Sequence, residues 1–181
     1  MTVIGRHDRV SGILTLALFA LLLAGGVCAR AAVKVMDLPN FHQVDPGIYR
    51  GGAPTAQGLA KLKAMGIHTI IDLRISPRLV KQEKARALAA GFTWINLPMG
   101  SEAPTQKEVD TLLAVFARAP QEPVFVHCQH GADRAGCMVG IYRVSVEGWT
   151  FQRAWTEMRR CGFDPCWSNL TNAVRSRAKA G

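Results

Sequence analysis

Residues 126–136 read Val126-His127-Cys128-Gln129-His130-Gly131-Ala132-Asp133-Arg134-Ala135-Gly136, placing an arginine six positions after a cysteine with a glycine between them. The run Pro123-Val124-Phe125-Val126-His127 has the β-branched and aromatic character of a buried strand. Met138, Val139, Ile141, Tyr142 and Val144 recur as on an amphipathic helix. The segment is therefore a strand, a short loop and a helix. Successive N–H groups of such a loop can converge on one point, and the positive end of the helix is aimed there too, which suits a phosphoryl dianion. The same field favours thiolate over thiol; cysteines in such settings have pKa values of about 3.5–7.5 instead of about 8.5. A thiolate in line with phosphorus is a nucleophile. Arg134 offers a planar fork of donors for two phosphoryl oxygens and for the charge that grows on them. Gly131 keeps a side chain out of the anion's space. The implied chemistry is cleavage of a phosphate ester through a cysteinyl-phosphate.

Other readings explain less. A cysteine that is merely buried leaves Gly131 and Arg134 without a reason. A zinc site built on His127, Cys128 and His130 has no fourth ligand at recognisable spacing, so neither a metal nor a cofactor is expected. A sulfurtransferase cradle is a nearer rival, with a shorter loop.

The stretch from His127-Cys128 to Arg134 resembles the active-site motif of the cysteine-dependent protein tyrosine phosphatase superfamily, in its compact dual-specificity branch. Ile48-Tyr49-Arg50-Gly51-Gly52-Ala53-Pro54-Thr55, followed by Leu59, Leu62, Gly66-Ile67 and Thr69-Ile70-Ile71-Asp72-Leu73-Arg74, is similar to the opening of bacterial, fungal and plant atypical members. Tyr142-Arg143-Val144, Gly148-Trp149, Glu157-Met158 and Gly162-Phe163 are similar to periplasmic tyrosine phosphatases of Gram-negative bacteria. The likeness runs from residue 44 to 165.

The resemblance implies that Cys128 is the nucleophile, that Arg134 holds the phosphoryl group, and that Gln129, His130, Gly131, Ala132, Asp133 and Ala135 surround the substrate. It also implies a proton donor on a loop upstream, an Asp in the family. Residues 97–105 hold no Asp; Glu102 is their only carboxylate and falls at the corresponding place, with Asp110 on the next helix as second candidate. Ala135 stands where the family has a Ser or Thr hydroxyl that supports sulfur as a leaving group. That departure implies a slower second step and keeps open a different class of function, a phosphate-binding pseudophosphatase with little turnover. Relatives acting on inositol pyrophosphates carry several Lys or Arg within the loop, whereas Gln129, His130, Ala132 and Asp133 add none. Phosphotyrosine on a protein or peptide, with phosphoserine or phosphothreonine, is favoured over phosphoinositides and inositol phosphates. Asp133 has a local alternative, pairing with Arg134 or capping the helix.

The chain as a whole, 181 residues and 49% hydrophobic, suffices for one sizeable core and not for two ordinary domains. Arg6 and Arg9, the apolar run Ile13–Ala24 and then Ala29-Arg30-Ala31 have the order of a secretory signal peptide, residues 1–31. The run is short for a membrane span, which takes about 20 residues; an uncleaved anchor facing the periplasm is the alternative. Residues 32–43 are expected to be a linker and 44–181 the phosphatase domain of an exported, periplasmic, monomeric protein. In an oxidising compartment Cys161 and Cys166, bracketing a turn-like stretch, form a local disulfide or remain two thiols, while Cys137 reads as a small core residue. The net charge of +9 falls to about +7 without the signal segment. A basic surface draws phosphorylated substrates and associates loosely with anionic headgroups. Its Lys and Arg residues are scattered without aromatic interleaving, which argues against nucleic acid.

The pattern predicts strands over Ile48–Arg50, His68–Leu73, Phe92–Leu97 and Val124–His127. Helices are predicted over Thr55–Met65, Leu79–Ala90, Thr105–Arg118, Ala135–Glu147, Phe151–Cys161 and Ser168–Lys179. Their alternation points to an α/β fold, a single mostly parallel central sheet flanked by helices, with the chemistry at the C-terminal end of a central strand. Phe151, Ala154, Trp155 and Met158 form a helical stripe expected in the core. Asp72, Arg74 and Arg50 are read as structural, with framing of the pocket as the alternative for Arg74 and Arg50.

Overall fold

The structure is a computed structural model that describes residues 36–179. The expected signal segment and the first residues of the expected linker lie outside the described residues. In chain order the elements are β1 (His42–Asp45), β2 (Ile48–Gly52), α1 (Ala56–Ala64), β3 (Thr69–Asp72), α2 (Pro77–Ala89), β4 (Thr93–Asn96), α3 (Gln106–Phe116), β5 (Val124–Cys128), α4 (Asp133–Ser145), α5 (Phe151–Arg160) and α6 (Ser168–Arg175). The strands form one sheet in the order β1-β2-β5-β3-β4. All neighbours run parallel except β1, which returns antiparallel on β2. β5 is thus the central strand, buried on both faces, as its continuous apolar run requires.

Side-chain alternation divides the core between the two faces. Phe125 and Ile70 point to one side and pack with Leu59 and Leu62 of α1 and Ala87 of α2. Val124, Val126 and Ile71 point to the other, where they meet Leu112 of α3, Met138 and Ile141 of α4 and Leu170 of α6. α4 is buried at every position from Ala135 to Val144, as befits the middle helix of its layer. The Phe151-Ala154-Trp155-Met158 stripe packs into this second face as expected.

The helix starts follow local chemistry. Thr105 caps α3 and Glu108 closes a reciprocal capping box; Thr55 and Thr150 cap α1 and α5. Pro77 opens α2 two residues before the predicted start, since proline suits the first helical turn.

Two expectations need correction. β1 was not foreseen, because His42-Gln43-Val44-Asp45 carries no alternating apolar pattern. It is held instead by a turn in which Gly47, at φ +75°, sits so close to Ala119 that a Cβ would lie 2.0 Å from its carbonyl oxygen. The stretch 32–43, expected as a linker, belongs to the domain from Asp37 onward. The Asp37 carboxylate accepts from Thr55 and from Lys61, the Pro39 carbonyl accepts from Gly52 N–H at 2.7 Å, and Leu38 and Phe41 pack on the α1–α2 face.

One arginine of α4 ties the far corner together. Arg143 donates to Val44 O at 2.7 Å, to both oxygens of Glu147 and to both of Glu157, and its guanidinium lies 4.3 Å from the centre of the Trp149 ring. Arg143→Met is expected to cost about 2 kcal/mol, below the roughly 3–5 of a sealed pair because Glu147 and Glu157 remain 22% and 24% exposed. Chemical denaturation should show a lower midpoint with unchanged slope.

Candidate active site

Cys128 is the last residue of β5, is 2% exposed, and precedes a loop that enters α4 at Asp133. The Gly131 N–H donates to the Cys128 sulfur at 3.2 Å. That contact requires Gly131 to take φ +77° and to lie against the end of β2, where a Cβ would stand 2.4 Å from the Gly51 carbonyl carbon. Only glycine meets both demands.

Four carbonyls in and beside the loop find donors. His127 O accepts from Leu73 N–H at 2.8 Å and Gln129 O from Ala53 N–H at 3.2 Å. Gly131 O and Ala132 O accept from one nitrogen of Arg50, at 2.7 and 3.1 Å. Arg50 is 1% exposed. Burial pushes its guanidinium down from the usual arginine range, while Cys161, Glu157, Cys128 and Asp133 act in the opposite direction. Of the arginines outside the motif, Arg50 is therefore the one that shapes the loop. Arg74, the other candidate, points into a buried cluster. Its Nε and Nη2 donate to the two oxygens of Asp72 at 2.9 and 2.8 Å, and Nη2 donates to Glu83 at 2.6 Å.

The remaining expected site residues fall in different places. Gln129 and His130 are exposed at the loop's tip and Ala132 is half-buried, but Ala135 is wholly buried inside the first turn of α4 and offers no surface to a ligand. Asp133 neither pairs with Arg134 nor faces outward as a free charge. Its carboxylate accepts from Asp164 N–H at 2.9 Å, joining the loop to the connection between α5 and α6. Arg134 reaches across to the Met99 carbonyl at 3.5 Å, so the segment 97–105 does lie beside the motif. Glu102 on that segment accepts from Asn169 of α6 at 3.0 Å and is exposed. Asp110 is held by Gln106 on the outer face of α3.

The imagined zinc set is not assembled, since His130 is exposed while the His127 ring is sealed in the core, 2.7 Å from a Glu83 oxygen. Cys161 and Cys166 are both free thiols, the first buried and the second exposed. Cys137 is a core residue, its thiol pushed up to about 12 by burial.

Comparison with known proteins decides the family. Residues 33–176 match the family described as DSP-PTPase phosphatase fused to NAD+ kinase. The chain belongs to this phosphatase family. Among its relatives, the dual specificity protein phosphatase TpbA of Pseudomonas aeruginosa strain UCBPP-PA14 is 31% identical over 125 residues, which are 68% of this chain and 55% of TpbA. The inositol diphosphatase DSP5 of Arabidopsis thaliana is 28% identical over 129 residues, 68% of this chain and 62% of the relative. The chain thus spans between about half and two thirds of the length of these curated relatives. A crystal structure of P. aeruginosa TpbA superimposes with TM-score 0.65 at 27% identity, covering 76% of this chain and 84% of that one. A second TpbA crystal structure, a cysteine-to-serine form in complex with pTyr, gives the same TM-score at 26% identity over 77% and 85%. The single, mostly parallel sheet flanked by helices is the dual-specificity phosphatase fold.

In this chain the sequence motif marks the sulfur and the loop, but the bond of Arg50 to the loop carbonyls and the burial of Glu83 beside His127 emerge only in the fold. A signal existed for Arg50: a charged residue inside an apolar strand needs a buried acceptor. Arg50→Lys keeps the charge but cannot bridge the same two carbonyls. It is expected to lower kcat/KM for a phosphomonoester about 100-fold and to shift the thermal midpoint by only a few degrees. Unchanged kinetics would show that the loop does not depend on Arg50.

Proposed function

We propose that this chain hydrolyses phosphotyrosine on proteins or peptides through a phosphocysteine at Cys128. The observation that carries the proposal is the Gly131 N–H directed at the Cys128 sulfur from a loop that leads into the N-terminus of α4. A donor aimed at the sulfur beside a helix N-terminus makes this point a place for the anionic phosphoryl group. The thiolate attacks phosphorus, forming the S–P bond as the bond to the ester oxygen breaks. Arg134 and the loop N–H groups hold the three non-bridging oxygens. Glu102 protonates the departing oxygen, then takes a proton from the water that cleaves the S–P bond, and phosphate leaves with the thiolate restored. To act so, Glu102 must exchange Asn169 for the leaving oxygen, a movement of the exposed stretch Gly100–Ala103.

Substrate choice rests on the loop. Gln129, His130 and Ala132 place no Lys or Arg at the mouth, and Asp133 is engaged with Asp164, a setting suited to one phosphoryl group more than to a densely anionic ring. The TpbA structure with pTyr supports the same class. A second reading, inositol diphosphates, is favoured by the likeness to DSP5. Ala135 is compatible with a slow second step. The N-terminal pattern supports export to the periplasm, checked by cell fractionation and by sequencing the mature N-terminus.

Steady-state release of phosphate from a phosphotyrosine peptide should exceed that from inositol diphosphates. It should vanish in Cys128→Ser and fall at least about 10³-fold in Arg134→Lys. Glu102→Gln should lower kcat for the peptide about 10²–10⁴-fold. Equal release by Cys128→Ser and the parent protein would refute the nucleophile, and an unaltered Glu102→Gln would return the acid's role to another group. A rapid burst followed by slow turnover would mark a rate-limiting second step.

A further inference from the structure

The outward face of α2 carries cations that nothing in the chain balances. Arg78, Lys81, Lys84 and Arg86 are exposed, and among the described residues none of the four enters an ion pair. Glu83, the only acid of the helix, is 5% exposed and bonded to Arg74. The arrangement works against the helix itself. Arg78 and Lys81, and again Lys81 and Lys84, stand three residues apart, where like charges repel. Arg78 also lies at the positive end of α2, whose first turn holds no acid and whose Ser76 makes no capping bond. A segment that breaks local rules in this way is a candidate for function.

Between this face and β4 runs a groove of about 530 Å³. Ile75, Pro77 and Val80 give it apolar surface, Ile75 being 58% exposed, and Lys81 and Lys84 give it charge. The Lys84 ammonium lies 5.6 Å from the centre of the Trp94 ring, and the Trp94 N–H has no acceptor among the described residues. The amide nitrogen of Asn96 is engaged with the carbonyls of Asp72 and Arg74. The lining thus offers donors, positive charge and apolar surface, and it contains no carboxylate.

The sheet ties the groove to the active site. β3, β4 and β5 run parallel, so Asn96 at the end of β4 and Ile75 just past β3 lie at the edge where β5 ends in Cys128. β4 is two places from β5, about 10 Å away. Three residues beyond Asn96, the Met99 carbonyl meets Arg134. An extended peptide covers about 3.3–3.6 Å per residue, so a side chain about three or four positions from a phosphotyrosine bound at Cys128 reaches this groove.

We propose that the groove is a specificity subsite that takes a glutamate or aspartate side chain of the peptide substrate. Lys81 and Lys84 pair with its carboxylate, and Ile75, Pro77 and Val80 pack on its stem. This rests on phosphotyrosine peptides being the substrate. Neither lysine touches the reacting atoms, so the subsite acts on peptide binding and is not used by a small aryl phosphate. A free polyanion would meet the same cations but has no use for the apolar part of the groove.

The test uses phosphotyrosine peptides in which one glutamate is moved through the positions on either side of the phosphotyrosine in a neutral background. With the unaltered protein at low salt, one position should raise kcat/KM about tenfold over the glutamate-free peptide. The gain should appear in KM with kcat unchanged, and should shrink as ionic strength rises. In Lys81→Gln/Lys84→Gln the gain should vanish, while release from p-nitrophenyl phosphate keeps the parental rate and the melting temperature does not fall. In Lys81→Glu/Lys84→Glu the preference should invert, to lysine at the same position, which a damaged fold could not produce. Equal kcat/KM for all peptides, or a glutamate preference that survives both variants, refutes the subsite. If Lys81→Gln/Lys84→Gln instead slows release from an inositol diphosphate and leaves the peptides unaffected, the cations serve a polyanion and the subsite is wrong. No release from any peptide would refute the phosphotyrosine reading and the subsite with it, whereas release indifferent to the glutamate refutes the subsite alone.

Discussion

A peptide loop that turns its N–H groups toward an anion turns carbonyls the other way, and in this fold several of those carbonyls point inward. Each therefore needs a donor from elsewhere in the chain. Leu73 and Ala53 supply backbone N–H groups from the neighbouring strands' ends, Arg50 supplies one nitrogen to two carbonyls, and His127 turns its ring to the carbonyl of Cys128. The sheet order makes this possible. β5 lies between β2 and β3, so whatever follows its last residue is flanked by the ends of both. The cradle is thus a property of three strand termini, not of one motif.

How much of this could be read from residues alone varied with the range of the interaction. Helices and parallel strands were legible because their signals are local: the period of apolar residues, threonine caps, and an unbroken apolar run for β5. The same holds for the sulfur, the glycine and the arginine, whose spacing is itself the signal. β1 escaped because a turn under Ala119 and hydrogen bonds to β2 hold it, not apolar alternation. Asp37–Phe41 escaped because their partners, Thr55, Lys61 and Gly52, lie far along the chain or belong to the backbone. Glu83 is the clearest case. On a helix with Lys81, Lys84 and Arg86 it looks like one more solvated charge, and only the folded chain shows it 5% exposed between a guanidinium and an imidazole.

The two faces of the sheet divide the labour. The α3–α6 side is apolar and carries the buried α4, whose N-terminus meets the loop. The α1–α2 side adds a charged plug at the strand ends, with Asp72, Arg74, Glu83 and His127 stacked against Phe125. An apolar plug of the same volume would be at least as stable, as replacements of buried ion pairs show in general. What the charges provide is fixed direction, since a guanidinium bidentate on Asp72 permits one arrangement where packed aliphatic groups permit several.

The bond from Asp164 to Asp133 has a bearing on how such a protein changes over generations. A position at the mouth of the loop, free in principle to vary with the ligand, here doubles as a tether for the segment joining α5 to α6. A lysine at Asp133 would recruit denser anions only by releasing that segment, so new preference would require a compensating change some thirty residues away. Epistasis of this kind makes the present loop a local trap in sequence space: drift toward a different ligand is slowed by a mechanical duty unrelated to binding.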